Sequence, residues 1–141
     1  MDRRDFVYLG LVGVGSGIIA PRVVLAGIPG NSMAGGVYYT KEAPGRWSKK
    51  IGGHLPSIEL DKGGEGISVR VVTGHEMKGY EHYIIKHQLL DRNFFFLDEH
   101  MFDPMKDKAP ISTFSLAAYS GPLYAISMCN KHDTWLNVIE V

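Results

Sequence analysis

The residues Leu123-Tyr-Ala-Ile-Ser-Met-Cys129, Asn130-Lys-His-Asp133 and Thr134-Trp-Leu-Asn-Val-Ile-Glu-Val141 form two β-rich runs joined by turn chemistry. Outward from them the same grammar repeats. Ile111–Tyr119 is set off by Ser120-Gly121-Pro122, and Asn93–Phe102 by Asp103-Pro104. Further upstream, Ile67-Ser-Val69-Arg-Val71 alternates apolar and polar residues, and Tyr83-Ile-Ile-Lys-His-Gln-Leu-Leu90 is rich in strand formers. No stretch carries a long amphipathic helix. About seven short strands at this spacing predict an all-β fold, an immunoglobulin-like antiparallel β-sandwich.

The chain has 141 residues, enough for one ordinary globular domain and too few for two full ones. Fifteen Lys and Arg balance fifteen Asp and Glu, which excludes the basic footprint of a protein that binds nucleic acid through its phosphates. Cys129 is the only cysteine, so neither an internal disulfide framework nor a centre of several thiolates can be built from this chain.

Residues 1–26 read as an address. Arg3-Arg4 precedes an uncharged stretch from Phe6 to Pro21, which is shorter than the ~20 residues that span a bilayer, and small residues surround a cut site after Ala26. This looks like a twin-arginine export signal, so the working domain is expected in the periplasm or on the outer face of the cytoplasmic membrane. An uncleaved anchor is the alternative reading of the same residues. Gly13-Val-Gly15-Ser-Gly17 lacks both the leading strand and the Lys-Ser/Thr of a nucleotide loop. Residues 27–50, with Gly27, Pro29, Gly30, Gly35, Gly36, Pro44 and Gly45, read as an irregular lead-in, and residues 51–141 as the domain proper.

Cys129-Asn-Lys-His132 is the strongest local signal for chemistry. A thiolate and an imidazole three residues apart at a strand end can close on one metal ion. His54, His75 and His82 lie in turn-like sequence beside strand candidates, where loops from different strands converge, and with them the set reaches four imidazoles and one thiolate. Taken singly, each residue also has an ordinary role: Cys129 as a small buried hydrophobe, His132 as a turn residue, His75 and His82 as loop histidines.

The segment Gly121-Pro-Leu-Tyr-Ala-Ile-Ser-Met-Cys129-Asn-Lys-His132-Asp-Thr-Trp135 closely resembles the C-terminal iron loop of superoxide reductases, the neelaredoxin and desulfoferrodoxin family, which reads Cys-Asn-x-His-Gly-x-Trp. The resemblance extends to Glu81-His82-Tyr83-Ile84, to His75-Glu-Met77, where the family usually has His-Pro-Met, and to Trp47 with His54-Leu-Pro56-Ser-Ile58-Glu59. It implies one mononuclear iron with His54, His75, His82 and His132 as equatorial ligands and Cys129 as the axial one. His87 and His100 are left over. It further implies one-electron reduction of superoxide to hydrogen peroxide, an external electron donor, and assembly as a dimer or tetramer. Backbone N–H groups around Asn130, Lys131 and His132 are expected to tune the sulfur.

The pattern departs from the family at two places. Where members carry Glu-Lys immediately before the first histidine, this chain has Gly52-Gly53, and Lys49 and Lys50 stand a few residues earlier as candidates to supply the missing cation. The His75 to His82 interval is one residue longer than usual. Two other readings stay open: an exported iron-binding redox carrier, sensor or complex subunit of the same fold, and a metal-free binding module with a coincidental His/Cys set.

Overall fold

Alternation of apolar and polar side chains decides how the strands stack. A computed structural model describes residues 33–141; the predicted signal at 1–26 and the first part of the lead-in lie outside the described residues. Seven strands follow a short helix α1 (Ile51–His54): β1 (Ser57–Asp61), β2 (Ile67–Val72), β3 (Ile84–Leu90), β4 (Phe96–Met101), β5 (Ile111–Leu116), β6 (Pro122–Cys129) and β7 (Asp133–Glu140). They form two antiparallel sheets, ordered β1-β2-β5 and β4-β3-β6-β7. The predicted all-β sandwich is therefore the fold. No helix among the described residues is long and apolar enough to cross a membrane.

The core lies between the sheets. Ile67, Val69 and Val71 of β2, Phe114 of β5, Leu89 of β3 and Leu123 and Ala125 of β6 meet there, flanked by Ile58, Leu60, Leu97 and Ile139. Each fully buried aliphatic side chain contributes about 1.5–3 kcal/mol. Because strand side chains alternate, the inward face of β6 continues from Leu123 and Ala125 to Ser127 and ends at Cys129. The thiol is thereby placed inside, at the end of the sandwich.

Register brings five chain segments to that same end. Ser57 pairs with Val72, Ile84 with Cys129, and Cys129 with Asp133. Consequently the start of β1, the exit of β2, the entry of β3 and the β6–β7 turn all open on one side. The lead-in joins them: Tyr39 is buried, its N–H donates to Thr134 O and its C=O accepts from Leu136 N–H. Asn137 Nδ2 donates to Pro56 O at 2.8 Å and ties β7 to the approach of β1.

Two readings of strand limits shift. Asn93–Phe102 becomes strand only from Phe96, because the Asp91 carboxylate accepts N–H bonds from Asn93 and Phe95 and Phe94 turns to φ 65°. Ser57–Asp61, which carries no strand signal of its own in the sequence, pairs with β2 along its whole length.

Between the sheets lies a polar knot. His87, fully buried, sets Nε2 2.8 Å from Thr73 Oγ1 and Nδ1 2.7 Å from Ser112 Oγ, and Thr73 Oγ1 is 2.8 Å from Ser127 Oγ. A neutral imidazole has one donor and one acceptor, and both are satisfied here. Burial, with a smaller contribution from His100, pushes the His87 pKa down to about 3. The folded state thus binds fewer protons than the unfolded state below pH 6.5, so this contribution to stability is complete above pH 6.5 and is lost as pH falls toward 3. At pH 5 the loss is about 2 kcal/mol relative to pH 7. Urea unfolding of metal-free wild type and His87→Gln at both pH values checks this: the amide variant loses less stability on acidification, and equal losses would refute the assignment.

Candidate metal centre

Each residue of the His/Cys group arrives on a different segment. His54 ends α1, His75 follows the exit of β2, His82 follows a 3-10 turn at Gly79–Glu81, Cys129 ends β6 and His132 lies in the β6–β7 turn. The ligand-capable atoms of His54, His75, His82 and Cys129 all lie within 4.8 Å of one another, an arrangement able to hold a metal ion. His132 joins them through Nδ1, which is 3.1 Å from His54 Nε2, 3.2 Å from His82 Nε2 and 3.6 Å from Cys129 Sγ. His75 Nε2 is 3.0 Å from His82 Nε2 and 3.7 Å from Cys129 Sγ. All five predicted positions converge.

The outward ring nitrogens explain the inward ones. His54 Nδ1 is 3.0 Å from Lys50 O, and His75 Nδ1 meets the Glu76 carbonyl. His82 Nδ1 lies 3.5 Å from the Glu76 carboxylate. An oxygen acceptor on the outer nitrogen fixes the proton there and leaves the inner nitrogen with a lone pair. Burial lowers the pKa of His54 to about 4, with the Lys50 carbonyl opposing and the neighbouring histidines adding to the fall. Burial also lowers those of His75 and His132, and the charge of Lys50 adds to the depression in both. Neutral imidazoles and a soft thiol suit a borderline metal such as iron.

Side chains outside the predicted set hold the segments together. Asn130 Oδ1 accepts from Tyr83 N–H, and Asn130 Nδ2 donates to Tyr80 O and Glu81 O, which clamps the His82 turn to the Cys129 turn. Lys131 N–H donates to Cys129 Sγ at 3.4 Å, as expected of the sulfur turn, whereas Asn130 N–H goes to Tyr83 O. Trp135, fully buried, sits with its ring 5.9 Å from that of His54 and donates Nε1–H to His132 O. Trp47 meets His132 edge-on at 4.8 Å. Asp133, read from sequence only as a turn residue, accepts from Trp47 Nε1 at 2.7 Å and Arg46 Nη2 at 2.8 Å. A carboxylate next to a ligand-capable histidine was the available signal. His100 lies exposed on β4, and His87 is occupied in its own network.

Comparison with known proteins follows the same boundaries. The desulfoferrodoxin family model matches residues 45–138. A superoxide reductase (neelaredoxin) from Ignicoccus hospitalis is 33% identical, superposes with a TM-score of 0.65, and the match covers 76% of this chain and 94% of that one. A superoxide reductase solved in the oxidised state is 28% identical with a TM-score of 0.54, over 62% of this chain and 87% of its own. The neelaredoxin from Archaeoglobus fulgidus, at 23% identity and a TM-score of 0.56 over 66% of this chain and 91% of its own, shares the fold. Among proteins with curated descriptions, none matches. A family model that runs from the lead-in turn to the last strand, with a relative one-third identical over three-quarters of the sequence, shows that the chain belongs to the desulfoferrodoxin family of superoxide reductases.

Proposed function

We propose that this protein reduces superoxide to hydrogen peroxide at one non-haem iron held by His54, His75, His82, His132 and Cys129. The observation that carries the reading is the convergence of inward lone pairs: the ring nitrogens of four histidines and one thiol face each other at 3.0–3.7 Å while the outer nitrogens of three of those rings face oxygen acceptors. Iron bound there supplies the one-electron couple, so that superoxide takes up one electron and two protons and an external donor returns the electron. The protein contributes position and field. Cys129, as a thiolate, offers electron density that the Lys131 N–H moderates.

Lys50 is the proposed cation for the incoming anion. Its carbonyl faces His54 Nδ1, and its charge bears on both His75 and His132. Lys49 and Lys50 are both exposed, and Lys50 is preferred because its own carbonyl lies against His54. A cation near the site raises the encounter rate with an anion. At Gly52 and Gly53, where the family carries Glu-Lys, a Cβ would meet open space and Gly74 O at 3.6 Å respectively, so nothing in the packing requires glycine there. Export of the working domain, read from Arg3-Arg4 and the apolar stretch after it, belongs to the same proposal. So does a homo-oligomer, which the exposed Phe94, Phe95, Phe96 and Met101 support.

Three measurements test this reading. Oxidised protein is expected to show a thiolate-to-ferric band in the visible that Cys129→Ser abolishes while the β circular dichroism persists; iron-loaded wild type without the band would remove Cys129 from the ligand set. After a pulse of superoxide, ferrous wild type is expected to oxidise rapidly, Lys50→Met about tenfold more slowly and Lys49→Met like wild type. Oxidation no faster than background in wild type would favour the redox carrier or sensor reading. The exported protein is expected to begin at Gly27 by intact mass, and a full-length chain confined to the cytoplasm would contradict the signal.

A further inference from the structure

Asp133 occupies a backbone conformation that side chains avoid. Its φ of 70° lies in the left-handed region, where glycine is at ease and a residue with a Cβ is strained. It opens β7 opposite Cys129 in the register and follows His132 directly. An outlier kept at such a place points to what the side chain does. The carboxylate Oδ2 accepts two bonds, from Trp47 Nε1 at 2.7 Å and from Arg46 Nη2 at 2.8 Å, and the Arg46 guanidinium also stacks over the Trp47 ring at 4.3 Å.

From Trp47 the connection runs to the site. Lys50 N–H donates to Trp47 O at 2.8 Å, and Lys50 O faces His54 Nδ1 at 3.0 Å. The Trp47 ring meets His132 edge-on. None of the residues of the Gly45–Trp47 turn is itself buried. We infer that Asp133 is a positioning residue: its carboxylate latches Trp47 and Arg46 onto the β6–β7 turn and so fixes the segment that presents Lys50 to the metal group. The inference rests on the proposed role of Lys50 and on Cys129 as an iron ligand.

Coulomb's law makes the test one of sign. Removing a negative charge beside the site, taken alone, strengthens binding of an anion. Loss of the latch weakens it, because the cation is no longer held. Azide titration of the ferric, iron-loaded protein, followed by its visible band, measures this in wild type, Asp133→Gly, Asp133→Asn, Lys50→Met and the Asp133→Gly/Lys50→Met double variant. Asp133→Gly is expected to bind azide about fivefold more weakly with unchanged iron content and a melting temperature no lower than wild type, since glycine relieves the backbone. Asp133→Asn, which keeps the acceptor for Trp47, is expected to fall between. In the Lys50→Met background, Asp133→Gly is expected to weaken binding no further.

Azide binding as tight as or tighter than wild type in Asp133→Gly would overturn the latch, as would a weakening that persists in full without Lys50. A lower melting temperature with proportionate loss of iron would reduce Asp133 to a structural residue and also overturn it. Hydrogen exchange of the Trp47 indole N–H in metal-free protein gives a second measure: it is expected to be slow in wild type and fast in Asp133→Gly, and equal rates would overturn the proposal. If wild type shows no visible band, or Lys50→Met alone leaves azide affinity unchanged while the indole exchange still responds, then it is the reading of the metal site or of Lys50 that has failed.

Discussion

Lone pairs pressed together repel, and the arrangement of this protein depends on that constraint. Four ring nitrogens and a thiol sulfur point into one space, with neighbours at 3.0–3.7 Å. A cation at their centre converts mutual repulsion into attraction. Without one, the cost falls on the fold, which holds three of the rings by their outer nitrogens through Lys50 O, Glu76 O and the Glu76 carboxylate. Metal affinity and folding stability are coupled at such a site.

The sandwich supplies rigidity at one end. Inward alternation along β6 brings the core to Cys129, and the register of β1 with β2 and of β3 with β6 aligns the loops that bear the histidines. Trp135 closes the site from below, between the rings of Tyr39 and His54, with its N–H on His132 O. Polar clamps then connect loops that share no ladder: Asn130 joins the His82 turn to the sulfur turn, and Asp133 joins the lead-in. The proposed chemistry divides along the same line. The buried side holds the metal group, and the side approached by Lys50 faces the anion.

Much of this was legible in the sequence, for identifiable reasons. Turn chemistry at Ser120-Gly121-Pro122 and Asn130–Asp133 brackets β6, and the Cys-Asn-x-His pattern marks the metal group, because both depend on residue types at short spacing. Contacts across the fold were not legible. Ser57–Asp61 is short and half-exposed, and only pairing with β2 makes it a strand. Phe94 and Phe95 look like strand residues, yet the Asp91 carboxylate turns the chain there. Asp133 gave only a turn signal, since its partners Arg46 and Trp47 are more than eighty positions away in sequence. His87 reads in the sequence as a spare imidazole, and its burial among three hydroxyls follows from the stacking of sheets, which no local pattern contains.

The proposed function stands on one iron bound by imidazoles and by the single thiol of Cys129. Iron K-edge X-ray absorption of the loaded protein tests it most directly, because scattering from sulfur is distinguishable from that of nitrogen and oxygen. One sulfur and at least four nitrogen or oxygen scatterers are expected around a single iron, with the sulfur lost in Cys129→Ser. A spectrum of wild type fitted without sulfur, or showing an iron neighbour, would contradict it.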